Sequence, residues 1–286
     1  MSELIPGLST LARDYRGILS DIWGVVHNGV AAFPAAVEAL VNYRATGGRV
    51  VLITNAPRPN APIHEQLKKF GISGDAYDEI VTSGDVTREW LADGPHRSIA
   101  YIGPERDRVL IAGLDIAEVS EPAEADALVV TGLTDDETEG PEDYRARLAE
   151  FARLNVPLIC ANPDIVVERG HRLVWCAGSL ARLYVELGGK VDLLGKPHNP
   201  IYAQARARLD ALAGRPLATS EVLAIGDGLP TDGRGAIAEG LDLLFITAGI
   251  HAADFGDADA PDIAKVRARL TAEGLSARAV LARLKW

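Results

Sequence analysis

The sequence predicts an α/β protein: a doubly wound parallel-sheet core with a second, smaller α/β unit inserted into it. Short apolar runs that end in a polar residue recur at Asp21, Thr54 and Asp227. Between the first runs the pattern switches to helical periodicity, and strand–helix–strand alternation implies right-handed crossovers and a parallel sheet. From about residue 95 to 187 a separate series of strand and helix patterns intervenes before the first series resumes. The expected division is a core of residues 1–90 and 188–286 and a cap of residues 91–187.

The first element lies in residues 17–29, Gly-Ile-Leu-Ser-Asp-Ile-Trp-Gly-Val-Val-His-Asn-Gly. It reads as a buried strand delivering Asp21 to its carboxyl end, then a tight hairpin at Asn28-Gly29, where both residues accept positive φ at low cost. A carboxylate in that place sits where open α/β sheets bind ligands. Phe33-Pro34 opens a helix with Val37, Leu40, Val41 and Tyr43 apolar, closed by Gly47-Gly48. Arg49 to Thr54 is a β-branched run of the kind buried in parallel sheets, and it ends in Thr54-Asn55-Ala56-Pro57. A helix over roughly 60–70 stops at Gly71. Glu79 to Thr82 is the third strand, and Ser83-Gly84-Asp85 leads into a helix that carries Trp90.

In the inserted unit, Ser98 to Ile102, Asp126 to Thr131 and Val156 to Cys160 read as strands, and Pro141 to Leu154 as an amphipathic helix. Asn162-Pro163-Asp164 is a turn whose Asn162 and Asp164 are candidates to face the cleft. Residues 165–175 alternate loosely, as a hairpin across Arg169-Gly170 would. The acidic residues Asp135, Asp136, Glu137 and Glu139 read as a solvated loop or helix start rather than a metal site. Core patterning returns with Gly195-Lys196-Pro197, a helix from Pro200 to about Leu212, a strand Val222 to Gly226 ending at Asp227, and a strand Leu243 to Thr247. In the tail, Ile263, Val266 and Leu270, then Val280, Leu281 and Leu284, predict two short helices covering the sheet.

Bulk properties narrow the function. With 286 residues there is ample material for a core, and 48% hydrophobic with 24% charged residues is ordinary for a soluble globular enzyme. A net charge of −11 disfavours nonspecific nucleic-acid binding, which needs a basic surface, but leaves room for a small anionic substrate in a locally favourable cleft. Cys160 and Cys176 are too few for a disulfide scaffold and lack metal-site spacing, so both read as core thiols. No signal peptide and no membrane-spanning run of ~18 apolar residues is seen, so the expected location is cytoplasmic. A dinucleotide-binding dehydrogenase fails because no Gly-x-Gly-x-x-Gly follows the first strand, and a serine hydrolase fails for want of a Gly-x-Ser-x-Gly elbow.

Four segments stand in order: Asp21-Ile22-Trp23-Gly24-Val25, Thr54-Asn55, Gly195-Lys196-Pro197, and Gly226-Asp227-Gly228-Leu229-Pro230-Thr231-Asp232. Together they resemble the motifs of the haloacid dehalogenase-like (HAD) hydrolase superfamily, in its class IIA branch of NagD-like and nitrophenylphosphatase-like proteins. The resemblance spans essentially the whole sequence, because the inserted unit falls between the second and third motifs, where class IIA proteins carry their cap. It implies an HAD-like Rossmannoid core and a Mg²⁺-dependent hydrolase of a small phosphorylated metabolite, working through an aspartyl-phosphate. Asp21 is then the nucleophile. Asp21, the backbone carbonyl of Trp23, and Asp227 are the metal ligands, with Asp232 holding the metal's waters or serving as a further ligand. Thr54 and Asn55 donate hydrogen bonds to the phosphoryl oxygens, and Lys196 neutralises the crowded anions. Many relatives carry a second polar residue where this protein has Ala56. The resemblance also allows a homodimer through the cap.

A physical reason underlies these residue types. A carboxylate attacking a phosphate dianion must overcome like-charge repulsion, and phosphoryl transfer leaves the protein mainly positioning and charge stabilisation to supply. Mg²⁺ wants octahedral oxygen ligation with several waters and one or two carboxylates. The sequence departs from the phosphatase pattern at Trp23, where relatives carry the Asp that protonates the leaving oxygen; an indole N–H donates a hydrogen bond but keeps its proton. His27, close in sequence, is a weak surrogate. Three readings follow: a phosphatase with another proton source or an undemanding leaving group, a weakly catalytic sensor of a phosphorylated ligand, and a carbon–halogen hydrolase. The last fits least, since halide displacement does not call for a cation site.

Overall fold

The run Gly17–Asp21 is a strand buried along its whole length, as expected for an apolar segment with helices over both faces. The structure, a computed structural model, describes residues 3–169 and 172–286. Six strands form the first sheet, in the order Ala279–Leu281, Asp242–Ile246, Val222–Gly226, Gly17–Asp21, Arg49–Thr54 and Glu79–Thr82. The registers joining the first five are parallel. Sequence order runs outward in both directions from the pair Gly17–Asp21 and Val222–Gly226, so the topological switch of the sheet lies between these two strands.

A second sheet has five strands, in the order Val191–Leu193, Leu158–Cys160, Ala127–Val130, Ser98–Ile102 and Ala117–Glu118, all parallel. Its core is built from Leu148, Phe151, Leu180 and Tyr184 of the helices packed on it. Both cysteines are buried and free, and desolvation pushes the Cys160 thiol up to about 12, in keeping with a core role. Val166–Arg169 pairs antiparallel with Arg172–Trp175, and the Gly170 expected at the tip of this hairpin lies outside the described residues.

By compactness the protein divides into Met1–Thr54, His64–Val81 and Tyr202–Trp286 on one side, and Asn55–Ile63 and Thr82–Ile201 on the other. The second unit therefore reaches past the expected limits at 91 and 187. The strand Val191–Leu193 pairs with Leu158–Cys160, which brings the segment up to Lys196 into that unit.

Four local expectations are corrected. The second tail helix is instead the edge strand Ala279–Leu281, paired in parallel with residues 244–246; adjacent buried residues fit a strand covered on both faces better than a helix stripe. The helix expected over 141–154 begins as a 3₁₀ turn, Pro141–Tyr144, and becomes α-helical only over Arg145–Arg153. At Asn28-Gly29 only Gly29 takes positive φ, at 81°. Asn28 instead opens the turn, its Oδ1 accepting from the N–H groups of Val30 and Ala31. Finally, the acidic stretch is not wholly solvated: Asp136 binds Arg169 at 2.9 Å and also Arg106, while Glu137 binds Arg172. No helix among the described residues is long and apolar enough to cross a membrane.

Candidate active site

Asp21 closes the strand Gly17–Asp21 and is 7% exposed, with its Oδ1 accepting from the following Ile22 N–H at 2.7 Å. That bond fixes the carboxylate's rotamer at the strand end. The neighbouring strand pairs Gly17 with Val222 and Ser20 with Ile225, so Asp21 and Asp227 leave the same edge of the sheet at its switch point. Beyond Asp227 the backbone makes a π-helical turn, Leu229–Gly233, closed by Gly233 N–H to Gly228 O at 3.0 Å. This wide turn, a form that recurs at functional sites, carries Asp232 back over the start of the segment, where its Oδ2 accepts from Gly228 N–H at 3.1 Å. The spacing from Asp227 to Asp232 thus has a geometric cause.

Asp21, Asp227 and Asp232 are all buried, and one carboxylate oxygen from each lies within 4.8 Å of the others. Two like charges at such a spacing repel by about 3–4 kcal/mol for an effective dielectric near 20. A divalent cation converts that repulsion into attraction, and an all-oxygen donor set is what hard cations such as Mg²⁺ and Ca²⁺ select. The residues present therefore fit such an ion.

Asp227 is hemmed in by backbone. Its Oδ2 accepts from Ile250 N–H at 2.8 Å. A Cβ at Gly249 would fall 1.8 Å from that oxygen, and one at Gly24, whose φ is +80°, would fall 2.3 Å from it. Both positions must lack a side chain for the carboxylate to stand where it does. Sequence patterning reveals neither Gly249 nor Ile250, because the recognisable strand stops near Thr247. Their contribution is backbone, and the only signal is a glycine a few residues past a core strand.

Thr54 ends the strand beside Asp21, with Asp21 opposite Ile53 in the register, and it is 8% exposed. Trp23 is half-buried and meets the His27 ring edge-on at 5.1 Å. The turn closes tightly on the indole, since a Cβ at Gly29 would lie 2.3 Å from Trp23 Cζ2. His27 itself is buried, stacked edge-on against Phe70, and its Nδ1 accepts from Gly29 N–H at 2.9 Å. Desolvation pushes its pKa down to about 4, so it is a neutral wedge in the core and a poor proton donor near pH 7.

Within the second unit, Asn55 and Lys196 are brought together although most of the inserted segment separates them in sequence. Lys196 N–H donates to Asn55 Oδ1 at 2.7 Å, and Asn55 Nδ2 donates to Lys196 O at 3.1 Å and to Asp164 Oδ1 at 2.9 Å. Asn55 and Lys196 are both nearly inaccessible. The expectation that the Asn55 side chain donates to a phosphoryl group is thus redirected: its amide is engaged with the Lys196 backbone and Asp164.

The first part of the sequence, residues 18–117, matches the family described as haloacid dehalogenase-like hydrolase, and residues 193–273 match an HAD-hydrolase-like family. A crystal structure of a haloacid dehalogenase-like family hydrolase from Brucella suis 1330 is 47% identical, with a TM-score of 0.87, covering 98% of this chain and all of that one. The chain belongs to the haloacid dehalogenase-like hydrolase family. In sequence, most of the second compact unit lies between Thr54 and Lys196. Among curated relatives, a D-glycerol 3-phosphate phosphatase of Mycobacterium tuberculosis is 28% identical over 86% of this chain and 67% of its own length. A glycerol phosphate phosphatase structure from the same organism, in complex with magnesium, is 28% identical with a TM-score of 0.65, covering 84% of this chain and 70% of that one.

The crowding around Asp227 is open to a direct test. Gly249→Ala forces the Asp227 carboxylate aside, and divalent-cation affinity measured by calorimetry should fall by roughly 10–100-fold, as for other losses of ligand support. The burial of His27 sets a pH dependence. The unfolded chain protonates His27 near pH 6.5, whereas the folded protein waits until about 4, so this residue's contribution to stability is intact above 6.5 and is lost as pH falls through that window. His27→Gln should flatten the decline in urea midpoint between pH 6.5 and 4, and should leave the pH profile of activity without a shifted limb.

Proposed function

We propose that this protein is a Mg²⁺-dependent phosphoric monoester hydrolase of a small phosphorylated metabolite, acting through an aspartyl-phosphate on Asp21. The observation that carries this reading is the convergence of Asp21 with Asp227 and Asp232 at the switch point of the sheet. It is supported by the phosphatase names of the relatives and by the magnesium complex of one of them.

In this reading an oxygen of Asp21 attacks phosphorus, the bond from phosphorus to the leaving alkoxide breaks, and water then attacks the aspartyl-phosphate, releasing orthophosphate and restoring the carboxylate. Mg²⁺, when bound by Asp21, Asp227 and the Trp23 carbonyl with Asp232 alongside, supplies the positive charge that lets one anion approach another. Ile22 N–H holds the Asp21 rotamer before and after the transfer. Ile250 N–H does the same for Asp227. Thr54 offers its hydroxyl to a phosphoryl oxygen, and Lys196 keeps the role the family pattern gives it, neutralising charge on the phosphate.

Trp23 shapes the substrate preference. General acid catalysis typically contributes 10²–10⁴-fold, roughly, and neither Trp23 nor the neutral His27 supplies it. Substrates whose leaving group is already stable as an anion, or which carry their own proton, are therefore favoured. The same feature keeps alive a second reading, a weakly catalytic sensor that binds a phosphorylated ligand. The carbon–halogen reading loses to the three gathered carboxylates, which that chemistry does not require. We place the activity in the cytoplasm and include in the proposal a homodimer through the cap, whose strand Arg172–Trp175 leaves Leu173 68% exposed.

The test is a Mg²⁺-dependent screen across sugar phosphates, phosphoglycolate, glycerol phosphates and nitrophenyl phosphate. Asp21→Asn should abolish turnover with the fold intact, and unchanged turnover would remove the nucleophile assignment. Trp23→Asp should raise turnover of alkyl phosphates more than that of nitrophenyl phosphate, which scarcely needs a proton. Tight binding of a phosphorylated metabolite with no turnover in Mg²⁺ selects the sensor reading.

A further inference from the structure

The Asn162-Pro163-Asp164 turn has no part in the mechanism above, yet its carboxylate reaches the Asn55 amide. A primary amide has one acceptor oxygen and two N–H donors, and the two ends are interchangeable in shape. Lys196 offers Asn55 both its backbone N–H and its backbone carbonyl, and Asn55 meets both. The amide can do this in one orientation only, with Oδ1 toward the N–H and Nδ2 toward the carbonyl oxygen. A carboxylate is an acceptor alone, so Asp164 at 2.9 Å selects that orientation by admitting only the NH₂ end.

We propose that Asp164 is a positioning residue for Lys196, acting through Asn55. The three residues form one series of bonds: Asp164 Oδ1 accepts from Asn55 Nδ2, and Asn55 clamps the backbone of Lys196 on both sides. Lysine is a point charge on a flexible stem, so anchoring its backbone fixes the origin from which the ammonium group must reach. The surroundings leave the clamp little room to shift. A Cβ at Gly195 would lie 2.4 Å from Asn55 Oδ1, 2.7 Å from Pro163 Cδ and 2.9 Å from Ser83 Oγ.

Asp164 is itself held on the inserted unit's framework. Its N–H donates to Asn162 Oδ1 at 3.1 Å, and its carbonyl accepts from Gly178 N–H at 3.0 Å, in the first turn of the helix Ala177–Glu186. A Cβ at Gly178 would stand 2.1 Å from Pro163 O, so the helix start is pressed directly onto the turn. The strand Leu158–Cys160, which leads into the turn, also pairs with Val191–Leu193, which leads into Gly195-Lys196. Two neighbouring strands of one sheet thereby deliver both ends of the clamp, and Asn55 closes it from the residue directly after Thr54.

The proposal rests on the phosphatase reading for its kinetic consequences, and the experiment separates the two. With nitrophenyl phosphate and Mg²⁺, Asp164→Ala should lower kcat by about 10–100-fold with little change in KM, the pattern of an interaction that matters in the transition state. Asp164→Asn, which keeps an acceptor oxygen at the same reach but no longer excludes the reversed Asn55 amide, should recover kcat in part, to a value between those of Asp164→Ala and the parent. Asp164→Ser, whose hydroxyl is too short to reach Nδ2, serves as the second truncation if Asp164→Ala does not fold. The pair Asn55→Ala with Asp164→Ala should cost no more than Asn55→Ala alone, because residues acting in series are not additive.

An activity-free readout accompanies this: the Asn55 side-chain NH₂ protons, followed by NMR, should exchange slowly with solvent in the parent, at an intermediate rate in Asp164→Asn, and fast in Asp164→Ala. Multiplicative losses in the double variant, or an Asp164→Asn as impaired as Asp164→Ala, overturn the proposal. If the parent protein shows no turnover, the phosphatase reading fails, and the exchange rates alone decide the clamp: equal rates in parent and Asp164→Ala overturn it.

Discussion

Like-charge repulsion is the constraint to which the rest of the site answers. Three buried carboxylates within 4.8 Å of one another are costly without a compensating cation, and nothing in strand or helix formation requires them to meet. The fold nevertheless commits the backbone N–H groups of Ile22, Gly228 and Ile250 to holding one carboxylate each. Backbone donors suit this work because they are fixed by the path of the polypeptide and give the anions partners without adding a competing side chain. The absence of a Cβ at Gly24 and Gly249 completes the same design, by letting the backbone approach Asp227 closely.

The segment that follows Asp21 is closely held by its own turn. Trp23 is locked between the Gly29 turn and the His27 ring, and His27 is kept neutral by burial. The segment after Asp21 is therefore tightly packed and largely apolar. Such a segment favours low-dielectric surroundings for the three carboxylates, in which charge interactions are stronger.

Much of this was legible in the sequence because strand ends are legible. Asp21, Thr54 and Asp227 each close a buried apolar run, and the order of such runs fixed the parallel sheet and the edge on which they emerge. Asp232 was legible through its offset from Asp227, although the π-helical turn that gives the offset its meaning was not. What escaped were features whose content is backbone or long-range. Gly249 and Ile250 act through backbone position, which leaves almost no pattern. Asn55 stood out only as the residue after a strand end, and its partners lie more than a hundred residues away, so its side-chain bonds could not be foreseen. Val280 and Leu281 were misread because two adjacent apolar residues satisfy a strand and a helix equally, and only the neighbouring strand arbitrates.

The placement of the switch point has a consequence for biosynthesis. Asp21 leaves the ribosome long before its strand partner Val222–Gly226 and the two later carboxylates have been made. A growing polypeptide therefore carries the first carboxylate with no cradle around it, and the cation cradle matures only as the later strands dock beside the first. The order of translation thus makes the meeting of the three carboxylates a late event.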